Sequence, residues 1–161
     1  MIFRQAKKEE IEELLSEGYK IWSKDRTIEQ YYTENRKEDE FGTRYVIEDN
    51  GIIVSSLILL NLKSINSKNV YGIGSVLTPH AYKHKGYATA LLRNCIEKIS
   101  TDTSLIFLYS EIDPAFYERY NFRVLPPDLQ KDAHSICMVL CDDDMWSVLI
   151  TSGIDLIPNH F

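Results

Sequence analysis

The sequence predicts a mixed domain of layered α/β or α+β type, from three observations. Several segments carry apolar residues at helical spacing, short β-branched runs separate them, and an Asn-Gly pair joins two of the runs. The hairpin asks for antiparallel pairing early in the chain. Strands linked by helices later ask for at least one parallel pair. The 161 residues suit one domain, 1–161, with a substantial core.

The elements follow in order. Met1 to Ala6 reads as a short first strand. From Lys7 to Trp22, Ile11, Leu14, Leu15, Tyr19 and Trp22 lie at helical spacing, and Glu9 and Glu10 suit the positive helix end. Thr27 to Lys37 predicts a more polar helix, a solvated lid or edge element. Tyr45-Val46-Ile47 and Ile52-Ile53-Val54 flank Asp49-Asn50-Gly51, a strong two-residue turn signal. Leu57 to Leu60 has strand composition, Asn61 to Asn69 is polar and loop-like, and Val70 to Thr78 reads as a long strand. Gly86 to Ile99 is the clearest helix, with Ala88, Leu91, Leu92, Cys95, Ile96 and Ile99 on one stripe. Leu105 to Tyr109 predicts a buried strand, and Asp113-Pro114 a capped helix start that Asn121 stops. Ile136 to Cys141 is another buried strand. The tail, 142–161, is apolar enough after its three aspartates to dock on the domain, with no element assigned to it.

Composition narrows the function classes. The formal net charge of -6 argues against general nucleic-acid binding and leans toward a cationic or amine-bearing partner. No apolar run is long enough to cross a membrane, and MIFRQAKKEE turns charged too soon for a signal peptide, so a cytoplasmic location is expected. Three cysteines do not make a disulfide framework. His134-x-x-Cys137-x-x-x-Cys141 lacks an evident fourth metal ligand, and its cysteines share one strand face as core thiols do, so no metal is expected.

Against that acidic background, the stretch YKHKGYATALL gathers Lys83, His84 and Lys85 just before a helix. The first amides of a helix lack intrahelical partners and, with the helix dipole, favour an anion. Gly86 admits close backbone approach, and Thr89 offers a hydroxyl. The arrangement suits a pyrophosphate. Taken locally it fits a solvated basic loop just as well. It is not a Walker loop, and Gly72-Ile73-Gly74 lies inside a strand and lacks the third glycine of a dinucleotide fingerprint.

Two blocks carry a family resemblance. Val76 to Leu92 resembles the acyl-coenzyme A signature of the GNAT superfamily of N-acyltransferases, Arg/Gln-x-x-Gly-x-Gly/Ala, with Lys83, Gly86 and Ala88 in its places. FYERYNF, Phe116 to Phe122, resembles the family's Phe-Tyr-Glu-x-x-Gly-Phe block, with Asn121 for glycine. The resemblance implies an α+β fold: a central, mostly antiparallel twisted sheet flanked by helices, its fourth and fifth strands splayed. Here those strands are Val70 to Thr78 and Leu105 to Tyr109. It implies acetyl-CoA as cosubstrate. The pantetheine arm would run along Val76, Leu77 and Thr78, with Gly72 and Gly74 permitting the strand distortion. Lys83, His84, Lys85, Gly86, Tyr87, Ala88 and Thr89 would wrap the pyrophosphate.

The reaction implied is acetyl transfer to a primary amine by direct attack in a ternary complex, with Tyr117 as general acid to the departing thiolate. The amine belongs to a small molecule or a protein, and a homodimer is compatible with the sequence. YGIGSVL holds no strand carboxylate to act as base, so Glu111, working through water, is the candidate, ahead of Asp113 and the histidines. Tyr31 and Tyr32 on the polar second helix are candidate acceptor-binding residues, against ordinary helix packing. A non-catalytic acyl-CoA-binding module is the rival reading, and an unrelated phosphate-ligand protein a third.

Overall fold

The computed structural model describes residues 1–99 and 104–161. Among them run seven strands, β1 (Ile2–Gln5), β2 (Gly42–Asp49), β3 (Ile52–Ile65), β4 (Lys68–Leu77), β5 (Ser104–Ser110), β6 (Arg123–Val124) and β7 (Ile136–Leu140). Five α-helices accompany them: α1 (Ile11–Trp22), α2 (Ile28–Arg36), α3 (Tyr87–Glu97), α4 (Ala115–Glu118) and α5 (Asp143–Ser152). The strands form one sheet in the order β1-β2-β3-β4-β5-β7-β6. Pairing is antiparallel for β1–β2, β2–β3, β5–β7 and β6–β7, and parallel for β4–β5. The predicted mixed class, with a mostly antiparallel sheet and one parallel pair, is the class observed.

The chain divides into two compact units, Met1–Leu60 with Ser75–Lys98, and Asn61–Gly74 with Ile99–Phe161. In the first, Asn50 and Gly51 both take positive φ, +50° and +79°, which is the turn that matches the twist of paired strands. It sets the register Asp49↔Ile52 through Gly42↔Leu60, with one irregularity at Ile47/Glu48. Alternation then assigns the two sheet faces. Arg44 turns to the α2 side, where Nε donates to Asp39 (2.7 Å) and Nη2 to the Asn35 carbonyl (3.3 Å). Tyr45 turns the other way, under Lys98 at the end of α3 (5.7 Å from Nζ to the ring centre). The α3 stripe buries Leu91, Leu92 and Cys95 completely, the two leucines contributing roughly 1.5–3 kcal/mol each. A Cβ on Gly18 would sit 2.4 Å from the Tyr31 hydroxyl, so glycine is what lets α1 and α2 approach. Arg4 ties β1 to the start of α1, donating to Glu10 (2.7 and 2.8 Å) and to Glu48 (2.8 Å).

The second unit is built on β5, whose Leu105, Ile106 and Phe107 are wholly buried. Val70, Leu125, Cys137 and Val139 complete its core, and the C-terminal segment adds Met145, Leu149 and Ile157. Two expectations need correction here. The polar stretch 61–69 is not a loop: β3 runs on to Ile65 and β4 begins at Lys68, with Asn66 and Ser67 (φ +47° and +63°) as the turn. Its polar residues are the exposed positions between half-buried Leu62 and buried Ile65 and Val70, so solvated strand surface imitates loop composition. The tail, unassigned from sequence, forms α5 with Asp142 as its cap, accepting from the Met145 amide (2.8 Å).

Candidate active site

In the first unit, β4 ends in a turn that leads to α3. The Tyr82 and Lys83 amides donate to the Pro79 and His80 carbonyls, closing a single 3-10 turn. His84 and Gly86 then take positive φ, +63° and +83°. The next amide with a backbone acceptor is that of Ala90, which donates to Gly86 at 3.0 Å. Among the described residues, the amides of Lys85, Gly86, Tyr87, Ala88 and Thr89 therefore have no acceptor. No side chain caps α3, and its first turn holds no acidic residue. A Cβ on Gly86 would meet nothing within 4 Å. Glycine is needed there for its left-handed backbone, and the space above it is open. The residues fit an acyl-CoA diphosphate on these grounds: unclaimed donors, open approach, and exposed Lys83 and Lys85 beside them. Tyr87 fixes the helix start, its hydroxyl donating to Asp49 (2.5 Å), and that carboxylate raises the phenol's pKa.

The end of β4 is held just as firmly. The Ser55 hydroxyl lies 3.0 Å from the Leu77 carbonyl and 2.9 Å from Thr78 Oγ1. Ser55 is 1% exposed, so this contact is a built anchor rather than a surface accident. The β4–β5 register stops at Ile73↔Leu108, although β4 continues to Leu77 and β5 to Ser110. The expected distortion is present, but at a different residue. Gly72 and Gly74 do not take positive φ; Ser75 does, at +48°. A non-glycine residue in that region costs about 1 kcal/mol or more. Gly72 has another reason to be glycine: a Cβ there would lie 2.7 Å from the Phe161 ring.

In the second unit, the Asp113 carboxylate accepts from the Ala115 amide (2.9 Å), and Pro114, expected as the first helical residue, instead sits one place before α4 with helical backbone angles (φ -54°, ψ -27°). Asn121 ends the segment at φ +68°, as its place in FYERYNF predicts. Tyr117 is 7% exposed and packed edge-on to Phe116 and Phe122. Burial pushes its phenol up to about 12, with Tyr120 adding to the shift. Its hydroxyl has no hydrogen-bond partner among the described residues. Glu111 is exposed in the turn before α4.

The remaining candidates fall apart from these. Tyr31 is 3% exposed, enclosed against α1 by Tyr19 and Gly18, with Arg26 over its ring. Packing accounts for it. Tyr32 is half-buried beside Arg36. Cys95 and Cys137 have thiols raised to about 12 by burial, and Cys141 to about 11. Among the described residues no group of His, Cys, Asp and Glu is placed to hold a metal. Sequence reasoning missed Ser55, Ser75 and Asp49. The one available signal was Ser55-Ser56, a polar break inside the buried run of β3.

Residues 3–125 match the family model described as Acetyltransferase (GNAT) domain. No curated protein matches the chain. Solved structures do. The Brucella melitensis ribosomal-protein-alanine N-acetyltransferase is 16% identical with a TM-score of 0.63, covering 88% of this chain and 99% of its own. Arabidopsis thaliana Naa50, in complex with the bisubstrate analogue CoA-Ac-MVNAL, is 13% identical with a TM-score of 0.64, covering 88% and 98%. A conserved protein from Enterococcus faecalis V583 is 17% identical with a TM-score of 0.63; there 76% of this chain matches only 32% of the larger one. Such identities speak to the fold. The family match spans most of the chain and includes the glycine turn and FYERYNF, and on it the protein belongs to the GNAT acetyltransferases, acetyl-CoA-dependent acyltransferases.

Proposed function

We propose that the protein moves the acetyl group of acetyl-CoA to a primary amine by direct attack within a ternary complex. The observation that carries this reading is the run of unclaimed amides at Lys85 to Thr89, ahead of a helix with no cap of its own. In this reading those amides, with Lys83 and His84, bind the diphosphate, and the backbone of Val76 to Thr78 pairs with the pantetheine arm. Ser55 serves as a positioning residue, keeping the Leu77 carbonyl and Thr78 in place.

Tyr117 acts as the acid. A phenol near 12 stays protonated throughout the neutral range, ready for a thiolate whose ordinary pKa is about 8.5. The same desolvation raises the pKa of a thiol leaving in an apolar site, which narrows the gap between them. The nucleophile must be neutral. An alkylamine at pH 7 is neutral in roughly one molecule in a few thousand, a cost of about 4–5 kcal/mol without a base. Glu111 is the carboxylate we assign to relieve it through water. Small-molecule and protein amines both suit this chemistry.

One observation favours a second reading, a non-catalytic acyl-CoA-binding module: β4 contains no carboxylate. Free-thiol release with acetyl-CoA against a panel of amines separates the two. Turnover on any amine supports the transferase. Cofactor binding with no thiol release on the whole panel leaves only the module.

A further inference from the structure

The turn that carries the unclaimed amides is gripped at both ends by one hairpin, β2–β3. At its start, Ser55 of β3 reaches the Leu77 carbonyl (3.0 Å) and Thr78 Oγ1 (2.9 Å). At its end, Asp49, the last residue of β2, accepts from the Tyr87 hydroxyl (2.5 Å). The two contacts share a sheet face. Tyr45, Ile47 and Asp49 alternate onto the side where α3 lies, and Ile47 is the register partner of Ser55. Asp49 is itself fixed, paired with Ile52 across the turn that Asn50 and Gly51 close at positive φ. The hairpin is therefore a frame, and Tyr87 is bonded to it across 38 positions of chain. Tyr87 also stands in the middle of the open run Lys85 to Thr89, whose amides have no backbone acceptor among the described residues to order them. Acting by charge alone, a carboxylate beside an anion seat would repel the anion. Asp49 instead uses one oxygen for the phenol proton, and its other oxygen lies 3.7 Å from the Met1 ammonium.

We infer that Asp49 is a positioning residue for the cofactor's diphosphate: through the Tyr87 hydroxyl it holds the open amides in the arrangement the anion meets. Donors held in place before the ligand arrives lose less freedom on binding. Ser55 holds the strand end on the pantetheine side, so the two contacts of the hairpin serve different parts of one ligand. The inference rests on the reading of this turn as the diphosphate seat. It does not depend on which amine accepts the acetyl group.

The test is a double-mutant cycle read by calorimetry with coenzyme A on the intact protein. Tyr87→Phe and Asp49→Ala should each weaken coenzyme A binding about five- to tenfold, the scale of one charge-assisted hydrogen bond. The double variant should lose no more than either single one, within about twofold, because both remove the same bond. Asp49→Asn, which keeps an oxygen acceptor for the phenol and removes the negative charge, should restore the parent's affinity or exceed it. Circular dichroism verifies that each variant keeps the fold. Losses that add in the double variant, affinity within about twofold of the parent's in Tyr87→Phe, or tighter binding in Asp49→Ala each overturn the inference, the last by showing that Asp49 acts through charge. Failure of the seat itself looks different. A parent protein that binds coenzyme A no better than pantetheine removes the diphosphate seat and its positioning residue together. A parent that prefers coenzyme A, with Tyr87→Phe and Asp49→Ala keeping the full preference, leaves the seat and removes Asp49 alone.

Discussion

Two helices of this protein begin in opposite ways. At α5 the chain supplies its own negative charge: Asp142 accepts from the Met145 amide and from Lys68 (3.3 Å), Asp143 pairs with Arg123, and Asp144 follows in the first turn. At α3 nothing among the described residues plays that part. The first turn has no acid, no side chain caps it, and Lys83, His84 and Lys85 precede it. A helix start that is satisfied internally is structure; one left open and flanked by cations is prepared for an anion from outside. The contrast explains why an acidic protein collects positive charge at this turn.

The contrast breaks most sharply if α3 is made to resemble α5. Ala88→Asp puts a carboxylate among the open amides, and coenzyme A affinity should fall roughly a hundredfold or more in calorimetry, with circular dichroism unchanged. Next in size is Tyr117→Phe, expected to lower kcat about a hundredfold while cofactor affinity stays within twofold, because the hydroxyl has no hydrogen-bond partner among the described residues and its loss leaves the packing of the ring intact. A kcat equal to the parent's would remove Tyr117 as the acid.

The pH profile sharpens the chemistry. Tyr117 is held protonated up to about 12, so it places no alkaline limb on the rate below about pH 10. The acceptor gains reactivity as it loses its proton, so kcat/KM should climb close to tenfold per pH unit until the amine's own pKa. A limb falling between pH 7 and 9 would contradict the assignment. The smallest effect belongs to α5. Asp142→Ala should cost about 1 kcal/mol and lower Tm by about 2–4 °C, with cofactor affinity unchanged.

Much of this was legible because it is written in local chemistry. Asn50-Gly51, Asp113-Pro114 and Asn121 each state a backbone conformation in one or two residues, and each adopts it. The turn before α3 is legible for the same reason, since a positive φ at residue 86 asks for glycine. The features missed are set by distant partners. Gly72 answers to Phe161, Gly18 to Tyr31, and the end of β4 to Ser55. Ser75 carries the strand distortion with nothing in its residue type to announce it. Tyr31 sits on a polar helix, so its burial depends on how closely α1 approaches, which the helix itself does not encode.

The most direct measurement is an amide-resolved NMR titration of the intact protein with coenzyme A, with pantetheine, which lacks the diphosphate, as control. The amides of Lys85 to Thr89 should move strongly with coenzyme A and little with pantetheine, and those of Asp142 to Met145 should stay still with both. Coenzyme A binding that leaves residues 85–89 unmoved, or no binding at millimolar ligand, would contradict the assignment of this turn as the diphosphate site.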